Sequence, residues 1–164
     1  MTDQKITGQQ TVGHQTTGEQ ITEPQRIAEQ CAQRMLELDQ AAKSLGVSIE
    51  TIRPGHVTIT MTVTGQMLNG HKTCHGGFLF TLADCAFALA CNSYNKTTVA
   101  ASCDITFVRP GHQGDRLTAT AAETHKAGRS GIYDVVVTDQ HNETIALFRG
   151  KSRTISKTGP LDDS

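Results

Sequence analysis

The spacing of apolar residues changes from one segment of this chain to the next, and each change predicts an element. From Pro24 to Leu45, Ile27, Cys31, Leu38, Ala41 and Leu45 recur near helical spacing. Pro24 suits a first helical turn and Gly46 supplies a stop, so the segment predicts one helix. Val47-Ser-Ile-Glu-Thr-Ile and His56-Val-Thr-Ile-Thr-Met-Thr-Val-Thr follow, the second alternating apolar Val57, Ile59, Met61 and Val63 with threonines. A period of two marks a half-buried strand, and Pro54-Gly55 between the two segments reads as a hairpin turn.

The next apolar segment breaks that period. Gly77-Phe-Leu-Phe-Thr-Leu-Ala-Asp-Cys-Ala-Phe-Ala-Leu-Ala-Cys holds no proline and no later glycine, and its leucine and alanine content favours a helix. Apolar residues occupy almost every face, which predicts a helix buried all round and interrupted by one charge, Asp84. The remainder returns to strands at roughly 97–109, 115–126, 131–139 and 143–155, with turns at Arg109-Pro-Gly-His-Gln-Gly and Asp139-Gln-His-Asn-Glu. The order is helix, two strands, apolar helix, four strands. An antiparallel sheet wrapped around one long buried central helix satisfies it, which places the chain in the α+β class. A curved sheet of this length cannot close on itself, so an edge or face is expected to meet a second copy.

Composition trims the domain. Only 37% of the 164 residues are hydrophobic, and the first 24 are rich in Gly, Gln and Thr with no aromatic residue. Such a stretch buries too little to offset its ordering entropy, so residues 1–24 are expected to be a disordered tail, 25–156 the folded domain and 157–164 a second short tail. A net charge of −1 gives no electrostatic reason to expect nucleic acid. No apolar run approaches the roughly 20 residues a bilayer requires, and no basic-then-apolar start marks a secretory signal. Five cysteines, an odd number without framework spacing, point to a reducing cytoplasm. His71, Cys74 and His75 lie close together, but a fourth ligand for a structural zinc is missing, so no metal is expected.

Asp84 carries the chemical signal. A carboxylate in an apolar helix is costly unless it is paired or its pKa shifts, and proteins tolerate that cost mostly at functional sites. An aspartate turned to solvent or capping a neighbouring turn is the bland alternative. The loop ahead of it, Asn69-Gly-His-Lys-Thr-Cys-His-Gly-Gly, runs straight into the helix start. Helix N-termini offer free N–H groups and partial positive charge, and Gly76-Gly77 lets a ligand approach that backbone. Such a terminus suits the oxyanion formed when a carbonyl is attacked, and Asn69 adds an amide able to orient a carbonyl or a water. Oxyanion donors, an amide and a carboxylate are the parts required for acyl transfer to water. His71 and His75 are alternative general bases, with His75 better placed to shape the loop. Cys74 lacks a relay for nucleophilic attack. Lys126-Ala-Gly-Arg-Ser-Gly is a candidate phosphate-binding turn, through the backbone N–H groups its glycines expose and the cations Lys126 and Arg129; a solvated basic hairpin is its alternative.

Residues 68–92, with Asn69-Gly-His, His75-Gly-Gly and Leu82-Ala-Asp in register, resemble the signature of the PaaI-type thioesterases. These are hotdog-fold hydroxyphenylacetyl-CoA thioesterases of phenylacetate catabolism. The likeness continues through Phe107-Val-Arg-Pro-Gly, Gly131-Ile-Tyr-Asp and Ala146-Leu-Phe-Arg-Gly-Lys-Ser, covering about residues 36–156. It implies a hotdog fold, an acyl-CoA substrate and no cofactor beyond the CoA of that substrate. It also implies roles: Asp84 as nucleophile or general base, Gly76 as the N–H polarising the thioester carbonyl, Asn69 holding carbonyl or water, and Ser102 assisting the water. Further, it implies CoA contacts near His75, Gly77, Arg109, Lys126, Gly128, Arg129 and Ser130. The family takes Asp84's counterpart and the Asn69–Gly76 loop from different protomers, which implies an obligatory homodimer, commonly paired into a homotetramer. A hotdog dehydratase and a non-catalytic acyl-CoA-binding protein are the alternatives in other classes.

Overall fold

The period-two segments become strands and the apolar run becomes a helix in the computed structural model, which describes residues 22–162. The predicted Gly/Gln/Thr-rich tail falls, through residue 21, outside the described residues. The elements are α1 (Glu23–Leu38), α2 (Gln40–Ser44), β1 (Ser48–Arg53), β2 (His56–Thr62), α3 (Gly76–Asn92), β3 (Thr98–Phe107), β4 (Arg116–Ala127), β5 (Ser130–Thr138) and β6 (Thr144–Thr154). The six strands form one antiparallel sheet in the order β1-β2-β4-β5-β6-β3. α3 lies across its concave side and touches β2 through β6, while α1 packs beside α3 and β1. This is the hotdog arrangement.

One helix was expected over 24–45, and the structure divides it. Asp39 adopts an extended conformation, ends α1 and accepts the Ala42 N–H at 2.9 Å as the N-cap of α2. Aspartate is a favoured N-cap and a poor helix-interior residue, so the break follows from its chemistry.

Alternation sets the face on which α3 lies. Val57, Ile59 and Met61 of β2, Leu117, Ala119 and Ala121 of β4, and Tyr133, Val135 and Val137 of β5 are buried against it. Small residues let the helix approach. A Cβ on Gly150 would stand 2.7 Å from the Phe87 ring, which packs edge-on against Tyr133 and tilted against Phe148. Burying Leu79, Leu82, Phe87 and Leu89 of α3 contributes roughly 1.5–3 kcal/mol each. The buried polar groups are also accounted for. Asn92 pairs with the Thr98 backbone through both amide ends, and the Ser93 hydroxyl donates to Ala90 O while accepting the Gly55 N–H.

The expectation of a helix buried all round is corrected in one respect. Gly77, Thr81, Asp84 and Ala88, spaced four, three and four residues apart, form a stripe that the described residues leave partly open. Beside it β3 is an edge strand, largely exposed, with Val99 and Phe107 among its apolar residues. The uncovered side of the helix thus continues into the unpaired side of the sheet.

The predicted C-terminal tail is different as well. As far as Asp162 the chain returns to the loop after α3, where the Thr97 N–H and hydroxyl both donate to Thr158 O at 2.8 Å. Leu161 N–H donates to Asn95 Oδ1, and Gly159 is buried against Asn95.

Candidate active site

The loop ahead of α3 is held by its own asparagine. Asn69 Oδ1 accepts the N–H groups of His71 (2.9 Å) and Thr73 (3.3 Å), and Nδ2 donates to Thr73 Oγ1 at 3.1 Å. These bonds close a turn whose residue Lys72 has a φ of 61°. The carboxamide oxygen is therefore spent on the loop, and one amide hydrogen remains for a ligand. The Cys74 N–H donates to Gly111 O and the His75 N–H to Met67 O, both at 2.8 Å, which ties the loop to the Arg109-Pro110-Gly111 turn.

His75 is the N-cap of α3. Its Nδ1 accepts the Gly77 N–H at 3.0 Å. The Gly76 N–H has no partner among the described residues. It is an orphan donor at the positive end of a 17-residue helix, in the place an anionic oxygen is best stabilised. The ring of Phe107 covers Gly76 so closely that a Cβ there would meet Cζ at 2.9 Å. Asn69, Thr73, Gly76, Phe107 and Arg109 line an open cavity of about 480 Å³. Arg109 is ion-paired with Glu143.

Asp84 lies at the middle of α3, half-buried on the open stripe. The Cys103 thiol of β3 donates to its Oδ1 at 3.9 Å. Burial first, and then the negative charge of Asp39, push the Asp84 carboxyl above its ordinary pKa; the thiol donor acts in the opposite direction. Burial and the neighbouring carboxylate raise the Cys103 pKa in turn, so it stays a thiol and a donor. Ser102 is exposed beside a bulge between Ala100 and Ser102, and its neighbour Cys103 is the β3 residue that reaches Asp84. Neither Cys103 nor Asp39 was legible as a site residue in the sequence. Cys103 counted only as a cysteine, and Asp39 lay inside a predicted helix.

Eight helical positions separate Gly76 from Asp84, about 12 Å along the axis. An oxyanion donor and a carboxylate acting on one carbonyl each need to be about 3 Å from it or its attacking water. Along one helix the two are too far apart to act on the same carbonyl.

The other candidate residues gather elsewhere. Lys126, Gly128 and Arg129 line a cavity of about 330 Å³ together with Lys96, Ser156 and Lys157. Lys126 Nζ stands 3.2 Å over the Tyr94 ring, Arg129 Nε donates to Thr154 O at 2.8 Å, and Ser130 Oγ accepts from Arg153. This cavity is near the C-terminal end of α3, at the opposite end from Gly76. Lys96 and Lys157, absent from the sequence-based candidates, are brought to it from remote stretches of the chain.

His71, Cys74 and His75 do not gather as ligands. His75 turns its Nδ1 to the helix, and burial pushes the Cys74 thiol up to about 11, which leaves it protonated near neutrality. Among the described residues no group of three or more His, Cys, Asp or Glu is arranged to hold a metal ion.

Comparison with known proteins identifies the family. The profile of the Thioesterase superfamily matches residues 71–146. The acyl-coenzyme A thioesterase PaaI of Escherichia coli (strain K12) is 53% identical over 131 residues, spanning 80% of this chain and 94% of the relative. The solved structure of the E. coli PaaI protein from the phenylacetic acid degradation operon superposes with a TM-score of 0.80 at 51% identity, covering 82% of this chain and 97% of that one. A point variant of the phenylacetic acid degradation protein PaaI from Thermus thermophilus gives 0.69 at 36% identity, covering 71% and 100%.

Proposed function

The chain belongs to the thioesterase superfamily, and from that membership we propose that it hydrolyses phenylacetyl- or hydroxyphenylacetyl-type CoA thioesters to the free acid and CoA. The observation that carries the reading is the unpartnered Gly76 N–H at the head of the helix whose centre holds Asp84. The relative from a phenylacetic acid degradation operon supports the substrate class.

The thioester carbonyl oxygen accepts the Gly76 N–H, with the remaining Asn69 amide hydrogen and the Arg109 turn bounding the same cavity. The Asp84 carboxylate takes a proton from a water as the water oxygen bonds to the carbonyl carbon. Its raised pKa makes it a stronger base at neutral pH than an exposed aspartate. Negative charge builds on the former carbonyl oxygen, where the helix terminus stabilises it. The C–S bond then breaks, and the proton held by Asp84 passes to the leaving thiolate of CoA. Ser102 stands on β3 next to Cys103, within the strand that faces the reacting water. His75 and Gly77 shape the terminus. Water, an N–H and a carboxylate suffice, so the reaction calls for no cofactor.

The separation of about 12 Å between Gly76 and Asp84 supports a homodimer. The open stripe on α3 and the free edge of β3 supply the interface: two β3 strands pair antiparallel and the helices meet beside them. Each site then takes Asp84 from one protomer and Gly76 of the partner subunit. Val136 and Leu147, cross-strand partners exposed on the outer sheet face, suit pairing of dimers into a tetramer. Five free thiols, four of them buried, fit an enzyme of the reducing cytoplasm. Among the described residues no helix is long and apolar enough to cross a membrane.

Thiol release from a panel of acyl-CoAs, native protein against Asp84→Asn, tests the reading. Rapid release from the arylacetyl esters, lost in the variant while dimer and fold persist, is expected. A folded dimer that binds CoA yet hydrolyses no ester overturns it in favour of an acyl-CoA-binding protein.

A further inference from the structure

We propose that Phe107 is a positioning residue for the oxyanion: its ring stands beside the Gly76 N–H, keeps water from one flank of it and so strengthens that donor's hold on the developing charge. The inference rests on the thioesterase reading above and adds the group that keeps its oxyanion donor dry.

Strand register brings the ring there. On β3, Cys103, Ile105 and Phe107 share one face, because side chains alternate along a strand. That face is turned to α3: the Cys103 thiol reaches Asp84, Ile105 packs on the core, and Phe107 reaches Gly76. Four strand residues span about 13 Å, close to the span of about 12 Å that separates Gly76 from Asp84 along the helix. One edge strand thus attends both ends of the chemistry, with a thiol at the carboxylate and a ring at the oxyanion donor.

The backbone holds the ring in place. Phe107 is paired with Ala146 of β6, and the next two N–H groups, of Val108 and Arg109, donate to Ile145 O at 2.8 and 3.2 Å. The loop that leads into α3 is tied to the same stretch of chain, through the Cys74 N–H and Gly111 O. Ring and helix terminus are therefore fixed with respect to one another.

Direction decides what the ring covers. In a helix the Cα–Cβ bond leans toward the N-terminus, so a Cβ on Gly76 would lie on the same side as its free N–H. The tip of the Phe107 ring fills that position, with Cζ 2.9 Å and Cε1 and Cε2 both 3.3 Å from where the Cβ would stand. The remaining approach to the N–H is the cavity bounded by Asn69, Thr73 and Arg109, from which a carbonyl oxygen enters. A hydrogen bond to a developing charge is worth more where water is excluded and the local dielectric is low. An aromatic ring removes water without offering a strong acceptor of its own, and its partly positive edge suits a neighbour of an oxyanion. Core packing gives no such account of the ring, which is 51% exposed on an edge strand.

The test uses Phe107→Leu, Gly76→Ala and the double variant in the full chain. Hydrolysis of an arylacetyl-CoA gives kcat and KM. Binding is measured for two CoA analogues: an α,α-difluoroketone, whose hydrate mimics the tetrahedral intermediate, and a thioether, which has no carbonyl. Phe107→Leu is expected to lower kcat by about tenfold, part of the roughly 10²–10³-fold loss on deleting an oxyanion donor, with KM little changed. It should weaken the difluoroketone by the same factor and leave the thioether alone. The Gly76 amide should also exchange with water faster in Phe107→Leu than in the native protein, as read by nuclear magnetic resonance. Alanine at position 76 displaces the ring, so the double variant should lose no more activity than the worse single one. Equal weakening of both analogues, an unchanged kcat or an additive double variant overturns the proposal and leaves the thioesterase reading in place. So does loss of the dimer in Phe107→Leu by native mass spectrometry, which assigns the ring to the interface instead. Should the native protein hydrolyse no ester, the thioesterase reading falls, and Gly76 exchange still decides the shielding: a rate unchanged by Phe107→Leu overturns it.

Discussion

Gly76 and Asp84 are about 12 Å apart on one helix, so two inactive variants should restore one another when mixed. Asp84→Asn removes the base. Gly76→Pro removes the orphan N–H with little backbone cost, because proline is favoured at the first helical position. The preceding His75, at φ −64° and ψ 135°, already has the conformation proline demands of its predecessor. Proline adds ring atoms that push on Phe107, so Gly76→Ala is the control: it carries the same Cβ, 2.9 Å from that ring, and keeps the N–H. Deleting one oxyanion donor costs about 10²–10³ in kcat, and Gly76→Pro should show that loss beyond any effect of Gly76→Ala. A mixed dimer of the proline and asparagine variants holds one intact site, with Asp84 from one chain and Gly76 from the other, and one doubly damaged site. Random assortment makes about half the dimers mixed, each with one of two sites active, so an equal mixture refolded together recovers about a quarter of native activity. Thiol release measures the recovery and native mass spectrometry counts the mixed dimers. Mixed dimers without recovery would falsify assembly of the site across two chains.

The remaining predictions concern Asp84 and the approach of α3 to the sheet. Cys103→Ala removes a donor to the ionised carboxylate and should move the acid limb of the kcat/KM–pH profile to higher pH. Asp39→Asn keeps the α2 cap, removes a like charge and should move the limb to lower pH. Shifts in the same direction would refute the assignment. A carboxyl whose folded pKa is raised binds its proton more tightly in the folded state, so its contribution to stability is full below the unfolded value and is lost as pH rises through the folded one. Asp84→Asn should therefore melt higher than the native protein at neutral pH and lose that advantage on acidification, as thermal unfolding at several pH values will show. Gly150→Ala forces a Cβ to 2.7 Å from the buried Phe87 ring and should destabilise by about 1–3 kcal/mol. Phe87→Leu in the same chain should restore part of the lost thermal stability.

Where local chemistry decides the backbone, the sequence was a sufficient guide. The threonine-spaced apolar residues Val57, Ile59 and Met61 became β2, and the alanine- and leucine-rich run became α3 with ends within a residue of those expected. Where a non-local partner decides, it was not. Gly77, Thr81 and Ala88 look like any other residues of an apolar helix, and only the packed structure shows that the described residues leave them partly uncovered. The candidate site divides along the same line. Asn69, Gly76 and Asp84 could be read from one continuous segment because a helix start and a helix centre are local features. Cys103 could not, because which of two adjacent residues on β3 faces the helix depends on register, and the bulge at Ala100–Ser102 changes that register. Lys96 and Lys157 were invisible for a third reason: the segment carrying Lys157 looks too polar to pack, and it packs through backbone hydrogen bonds that composition does not report. The open stripe of α3 and the bare edge of β3 then belong to one explanation with the distance between Gly76 and Asp84. On the proposed two-chain site, a helix presenting its N-terminus to one substrate and its centre to another would stay unsealed by its own sheet, and the surface the described residues leave open is where the second copy is proposed to dock.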